Sequence, residues 1–236
     1  MKKLLLISSS STHGTSFLEH AQHAIQDHLQ GVKTVTFVPF ALANREAYSR
    51  LAEKAFRSFG FGMQSLHQTE DPKAMVAEAE AIFTGGGNTF RLLKTLCDYQ
   101  LVDPLRQRVL AGMPYMGSSA GTNITCPTIR TTNDMPIVEP PSFTALDLIP
   151  FQINPHYLDA NPDSTHQGES RATRLSEYLE ENETPVLGIR EGCWLKINGD
   201  GGEVAGSNGA VLFRRDQPAL EMKSGDSLEQ LFLSKR

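Results

Sequence analysis

The sequence predicts an α/β fold, a mostly parallel sheet with helices on both faces and a small antiparallel part near the C terminus. Three observations carry this. Short apolar runs alternate with segments of helical spacing through the first half of the chain, and strand–helix–strand alternation implies parallel strands joined by covering helices. Two of the strands end in glycine-rich turns, Gly85-Gly86-Gly87-Asn88 and Gly117-Ser118-Ser119-Ala120-Gly121, at the strand ends where ligands collect in such sheets. After Thr122 the texture changes, and beyond Glu191 the segments Trp194 to Ile197 and Val211 to Phe213 read as antiparallel strands, with Asn208-Gly209 as a hairpin-turn dipeptide between the later pieces.

Taken in order, Leu4 to Ile7 form a buried first strand. The lysines and leucines at the start imitate a signal peptide, but the apolar run is too short and passes directly into Ser8 to Ser11. Ser16-x-x-Glu19 reads as a capping box for a helix carrying Phe17, Ala21, Ala24, Ile25 and Leu29. Val35 to Phe40 is the second strand. Asn44 caps a helix with Ala47, Leu51, Ala55 and Phe59 inward, which Gly60 ends. A weaker strand falls near Gly62 to Leu66. Asp71-Pro72 opens a helix to about Ala79, and Ala81 to Thr84 is the next strand. Helical spacing resumes at Phe90, Leu92 and Leu93. Asp103-Pro104 begins another helix, which ends near Gly112 and leads into the strand before Ser119. Thr128 to Val138 is polar and strand-like. Phe151 to Asn154 forms a strand that delivers His156, in the parallel sheet on the side where Ser119 emerges. Glu169 to Glu181 is a helix with Leu175, Tyr178 and Leu179 inward, and Val186 to Ile189 is a strand delivering Arg190 and Glu191. No repeat or linker interrupts the 236 residues, so residues 1–236 are read as one domain.

Composition narrows the function. At 39% hydrophobic and 21% charged, with a net charge of -5, the chain carries no basic footprint for nucleic acid or membrane binding. No run is long enough to span a bilayer. The three cysteines, Cys97, Cys126 and Cys193, form no disulfide framework or zinc pattern, which fits a reducing cytoplasm. No His-Glu-x-x-His is present, so neither a metal nor another cofactor is expected.

Gly117-Ser118-Ser119-Ala120-Gly121 is a Gly-x-Ser-x-Gly sequence between a strand and a helix. Its glycines allow a sharp turn that lifts the Ser119 hydroxyl from the sheet and aims the Ala120 N–H at whatever Ser119 attacks. A serine needs a base. Of the seven histidines, His20, His23 and His28 are expected mostly on a solvated helix face, and His13, His67 and His166 in loops. His156, after a sheet strand, is the candidate base. An orienting carboxylate is then required. Glu191, at the end of the next buried strand, and Asp134, in the polar loop, both remain candidates. Gly85 to Asn88 offers either a weak phosphate cradle or a second oxyanion donor, the Gly87 N–H, provided its strand neighbours that of Ser119. Arg130, Arg171 and Arg190 are candidate grips for an anionic substrate.

The chain resembles peptidase E, the cytosolic α-aspartyl dipeptidases, over nearly its whole length. The resemblance lies in Gly85-Gly86-Gly87-Asn88-Thr89-Phe90, the Ser119 elbow, the run Cys126 to Val138 containing Thr128-Ile129-Arg130-Thr131-Thr132-Asn133-Asp134-Met135-Pro136, then Gln152 to His156, and Glu191-Gly192. It implies a class I glutamine amidotransferase-like fold and cleavage of dipeptides with an N-terminal aspartate. Ser119 is implied as nucleophile and His156 as base, with Asp134 or Glu191 as third member. Asn88 and Arg171 match positions that recognise the aspartyl group, and the family is typically a homodimer. Ser118 stands where bacterial members carry tryptophan, and residues 158–167 match less well. An esterase using the same residues, or a non-catalytic ligand-binding member of the fold, are the alternative functions.

Overall fold

The computed structural model describes residues 1–161, 165 and 168–233. His166 and the end of the segment 158–167 lie outside the described residues. In chain order the first half comprises β1 (Lys3–Ile7), α1 (Gln22–His28), β2 (Thr34–Val38), α2 (Arg45–Phe59), β3 (Gly62–Ser65), α3 (Pro72–Glu78), β4 (Ala81–Thr84), α4 (Thr89–Asp98), α5 (Val102–Leu110), β5 (Tyr115–Ser118) and α6 (Ala120–Asn123). The second half adds β6 (Gln152–Pro155), α7 (Arg171–Glu181), β7 (Val186–Ile189), β8 (Cys193–Asn198), β9 (Gly201–Gly206), β10 (Ala210–Phe213), β11 (Leu220–Met222) and α8 (Glu229–Phe232).

The main sheet has the order β3-β2-β4-β5-β1-β8-β9. Its first five strands are parallel, and β8 and β9 add an antiparallel edge. Period-2 alternation divides the core. Leu5, Ile7, Val35, Phe37, Phe83 and Met116 face α1 and α2. Leu4, Leu6, Ile82 and Tyr115 face the other way, toward α3 to α6. That second core continues into a four-stranded sheet, β11-β10-β7-β6, through Ile153, Leu187, Ile189 and Leu212. Leu175 and Leu179 of α7 pack with Val186, Val211 and Phe213 of this sheet.

Local chemistry sets the helix ends. The Asn44 and Asp71 side chains accept the N–H of Ala47 and Ala74, and Gly60 closes α2 at a φ of 97°. Several expectations need correction. The buried face of α2 is Tyr48, Ser49, Ala52, Phe56 and Phe59, so Phe59 points inward as expected while Ala47, Leu51 and Ala55 give way to the residues that follow them. The aromatic side chains fill the layer, and Leu51 is left 48% exposed. The helix expected to follow Ser16 is interrupted: Leu18 is fully buried in a left-handed conformation, giving a 3-10 turn over Glu19–Ala21 before α1. His20 and His28 are half-buried rather than solvated, and burial lowers the pKa of both, His28 to about 4.

Residues 128–138 form no strand, apart from a single bridge between Thr128 and Thr144. Their Thr and Asn side chains bind β6 instead of a backbone ladder. The Thr131 hydroxyl donates to Ile153 O, Asn133 to Pro155 O, and Asn154 donates back to Thr131 O. Asn208-Gly209 makes no hairpin, because β9 and β10 belong to different sheets. The late hairpin is β8–β9, turning at Asn198-Gly199-Asp200-Gly201, with Gly199 at a φ of 59°. Finally, β6 and β7, which deliver His156 and Glu191, pair in parallel in the smaller sheet and not in the main one.

Candidate active site

The site forms where the two sheets meet. Ser119 sits between β5 and α6 with φ 53° and ψ -110°, a conformation that side chains rarely adopt. Three groups hold it there. The Ser119 N–H and the Thr122 hydroxyl both donate to Ile7 O, and the Tyr115 hydroxyl donates to Gly121 O. Both glycines of the motif are sterically required. A Cβ on Gly117 would stand 2.3 Å from Gly121 O, and one on Gly121 would stand 2.0 Å from Thr84 O. The Ser119 carbonyl takes the N–H groups of Thr122 and Asn123, whereas its hydroxyl makes no capping bond and turns outward.

His156 follows β6 with a φ of 53°, so the nucleophile candidate and the base candidate are both held in left-handed geometry. Its N–H donates to the Ser8 hydroxyl, which itself donates to Ile189 O, and the Tyr157 N–H also reaches Ile189 O. Ser8, at the end of β1, therefore joins the main sheet to both strands that carry the site. The His156 Nε2 is 2.9 Å from Ser119 Oγ, and Nδ1 is 2.7 Å from Glu191 Oε1. A carboxylate accepts only, so Nδ1 carries the proton and Nε2 is left to accept from the serine. Asn208 Nδ2 donates to Glu191 O and steadies the loop.

The glycine turn lies beside this line because β4 and β5 are direct neighbours, paired from Ile82↔Tyr115 to Thr84↔Gly117. A Cβ on Gly86 would be 3.0 Å from Ser119 Cβ. Gly87 has a φ of 132°, and a side chain there would meet Ala41 O at 2.7 Å. Among the described residues, the N–H groups of Gly87 and Ala120 donate to no protein acceptor.

The model of peptidase family S51 matches residues 4–205. The chain is 50% identical over 228 residues to Peptidase E of Streptomyces coelicolor, covering 97% of this chain and 94% of that one. It is 47% identical over 218 residues to a Drosophila melanogaster protein named "Probable alpha-aspartyl dipeptidase", covering 91% of each. The chain belongs to peptidase family S51. In the fold, this S51 chain is similar to the crystal structure of a candidate peptidase E protein from Listeria monocytogenes, with a TM-score of 0.68 at 26% identity, covering 88% of this chain and all of that one.

The remaining site candidates of this family member fall into two groups. Asp134 is not hydrogen-bonded to His156. Its Oδ2 accepts from the Thr89 N–H and hydroxyl, both at 2.7 Å, and from the Thr132 hydroxyl at 3.1 Å, which places it at the N terminus of α4. Asn88 caps the same helix: Oδ1 accepts the Arg91 N–H while Nδ2 donates to Met135 O. Asp134 and Asn88 together tie the 128–138 loop to the glycine turn.

The arginines differ sharply. Arg190 is saturated, donating to both oxygens of Asp159 and both of Glu221 and to Asn208 O; these carboxylates hold its pKa above the usual value. It is therefore unsuited to gripping a substrate. Arg130 stacks over Phe143. Arg171, the first residue of α7, makes no ion pair among the described residues. Burial and the neighbouring Arg174 lower its pKa, and the charge of Asp134 opposes this. A cavity of about 400 Å³ lies between Arg171 and Arg174 on one side and Leu158 to Asn161 on the other. No helix among the described residues is long and apolar enough to cross a membrane.

Sequence reasoning gave Ser8 no role and read Asn208 only as part of a turn. Only their positions hint at a function: Ser8 lies one residue beyond β1 and Asn208 two residues before β10.

Proposed function

We propose that the chain is a serine dipeptidase that hydrolyses Asp-X dipeptides through an acyl-enzyme on Ser119. The observation that carries this reading is the line Glu191–His156–Ser119, with contacts of 2.7 and 2.9 Å. Ser119 Oγ attacks the carbonyl carbon of the N-terminal aspartyl residue, and its proton passes to His156 Nε2. The imidazolium gives that proton to the leaving amine as the C–N bond breaks. Water, deprotonated by the same nitrogen, then cleaves the ester and frees aspartate. Glu191 orients the ring and stabilises its charged form. The Gly87 and Ala120 N–H groups receive the developing oxyanion.

Arg171 is assigned to the aspartyl carboxylate, because a half-buried guanidinium with no ion-pair partner among the described residues is a strong carboxylate ligand. The second hydrogen of Asn88 Nδ2 is assigned beside it. Asp134 is assigned the anchoring of α4 and the glycine turn rather than the third place in the triad. The names of the relatives support the Asp-X choice. The enzyme is further proposed to be a cytoplasmic homodimer that needs no cofactor.

Ser119→Ala is expected to reduce Asp-Leu hydrolysis by at least about a thousandfold while leaving the fold intact. Turnover by a folded Ser119→Ala protein at the wild-type rate would remove Ser119 from the chemistry. Faster hydrolysis of simple activated esters than of any Asp-X dipeptide would favour an esterase instead.

A further inference from the structure

Ile7, which ends β1, and Ser8, which follows it, hold the backbones of the two reacting residues. The Ile7 carbonyl accepts the Ser119 N–H at 3.1 Å. The Ser8 hydroxyl accepts the His156 N–H at 2.9 Å and donates to Ile189 O at 2.8 Å. Ser8 is itself fixed: it is fully buried, and its own N–H donates to Cys193 O. The support is firm, because β1 lies inside the main sheet between β5 and β8.

His156 needs such a support. The parallel pairing of β6 with β7 ends at Pro155↔Ile189, and the chain then turns to a φ of 53° at His156, so the His156 N–H lies beyond the ladder. A hydroxyl has one hydrogen and two lone pairs. Ser8 gives the hydrogen to Ile189 O and a lone pair to His156. The next residue is held without Ser8. The Tyr157 N–H donates to Ile189 O, and its ring lies so close to Gly188 that a Cβ there would stand 2.6 Å from it. Cohesion of β6 with β7 therefore does not depend on Ser8. What Ser8 adds is the place of the His156 backbone relative to Ser119.

We propose that Ser8 is a positioning residue for His156: its hydroxyl ties the backbone of the base to the same strand end that holds the backbone of the nucleophile. The inference rests on the roles proposed above for Ser119 and His156. In Ser8→Ala, Ile189 O keeps the Tyr157 N–H, but the His156 N–H loses its acceptor. The imidazole then leaves the 2.9 Å contact with Ser119 Oγ, a displacement to which the reaction is steeply sensitive.

The test is Ser8→Ala in the full chain, with two readouts. The first is Asp-Leu kinetics, separated into kcat and KM. The second is the rate at which a fluorophosphonate labels Ser119, which needs the serine and its base but no aspartyl recognition. Both kcat and the labelling rate are expected to fall about tenfold to a hundredfold, with KM changed less than threefold. In a His156→Ala background the same substitution is expected to change the residual labelling less than about twofold, because Ser8 acts through the imidazole. Labelling within twofold of wild type in folded Ser8→Ala overturns the proposal, as does a loss confined to KM or an equal fall in both backgrounds. If Ser8→Ala does not fold, Ser8→Cys, with a longer and weakly bonding thiol, is read in the same way, and unchanged labelling overturns the proposal. Wild-type protein that is labelled but does not cleave Asp-Leu refutes the substrate assignment alone, and the labelling comparison still judges Ser8. Wild-type protein that is not labelled refutes the nucleophile assignment, and the role of Ser8 falls with it.

Discussion

Two carboxylates compete for the third place in the triad, and their surroundings separate them. Glu191 has an oxygen 2.7 Å from His156 Nδ1. Asp134 spends one oxygen on three donors at the start of α4. Glu191→Gln is therefore expected to lower kcat by about a thousandfold or more, because an amide can stabilise the wrong tautomer and cannot balance an imidazolium. Asp134→Asn keeps one acceptor and is expected to lower kcat far less, while reducing stability by about 1 kcal/mol. Steady-state kinetics and urea melts on both variants check this, and equal losses of kcat would undo the assignment. His28 gives a separate test. Its folded pKa is depressed to about 4 by burial, against about 6.5 when free. The unfolded chain binds the extra proton between those values, so stability is full above about pH 6.5 and falls as pH drops toward 4. The urea midpoint should fall between pH 7 and pH 5 in the wild type and fall less in His28→Gln. Parallel curves would show that His28 does not contribute.

At the scale of elements, the chain from Val35 to the Ser119 elbow is legible because each strand and helix is marked locally, by Asn44, Asp71-Pro72 or a closing glycine. The site's serine and histidine are legible for the same reason, since each ends a short apolar strand. Sheet membership is not legible. Phe151 to Asn154 and Val186 to Ile189 read like any buried parallel strands, and only tertiary pairing assigns them to the second sheet. The 128–138 run misleads because Thr and Asn suit a strand by composition but bind β6 through side chains. The segments leaving β6 and β7 carry His156 and Glu191, and Arg190, between β7 and Glu191, grips Asp159 and Glu221. Arg190→Lys keeps the charge but loses the bidentate fork. Both carboxylates are more than half exposed, so the stability loss should stay below about 1 kcal/mol. Activity should fall more than stability, because the register of His156 against Glu191 loosens. A kcat unchanged from wild type would show that the clamp does not reach the site.

At the scale of the whole molecule, the proposed chemistry depends on two sheets being docked. Ser119 comes from the main sheet, and His156 and Glu191 come from the smaller one. Their joint core is continuous: Leu4 and Leu6 of β1 share one cluster with Ile153, Leu187 and Leu212. Ser8 adds a polar tie across the same junction. The smaller sheet is covered on another side by Leu175 and Leu179 of α7, but its four short strands would expose the residues of the shared core if they separated. We therefore predict that the chain unfolds as one unit. The protein has one tryptophan, Trp194, and it lies in β8 of the main sheet. Its fluorescence reports that sheet alone, whereas far-UV circular dichroism reports all the strands and helices, and Asp-Leu hydrolysis reports the junction. In a urea titration at fixed protein concentration the three curves should share one midpoint. Activity and part of the dichroism lost at lower urea than the Trp194 signal would mean that the smaller sheet opens first, and that residues 1–236 hold two folding units.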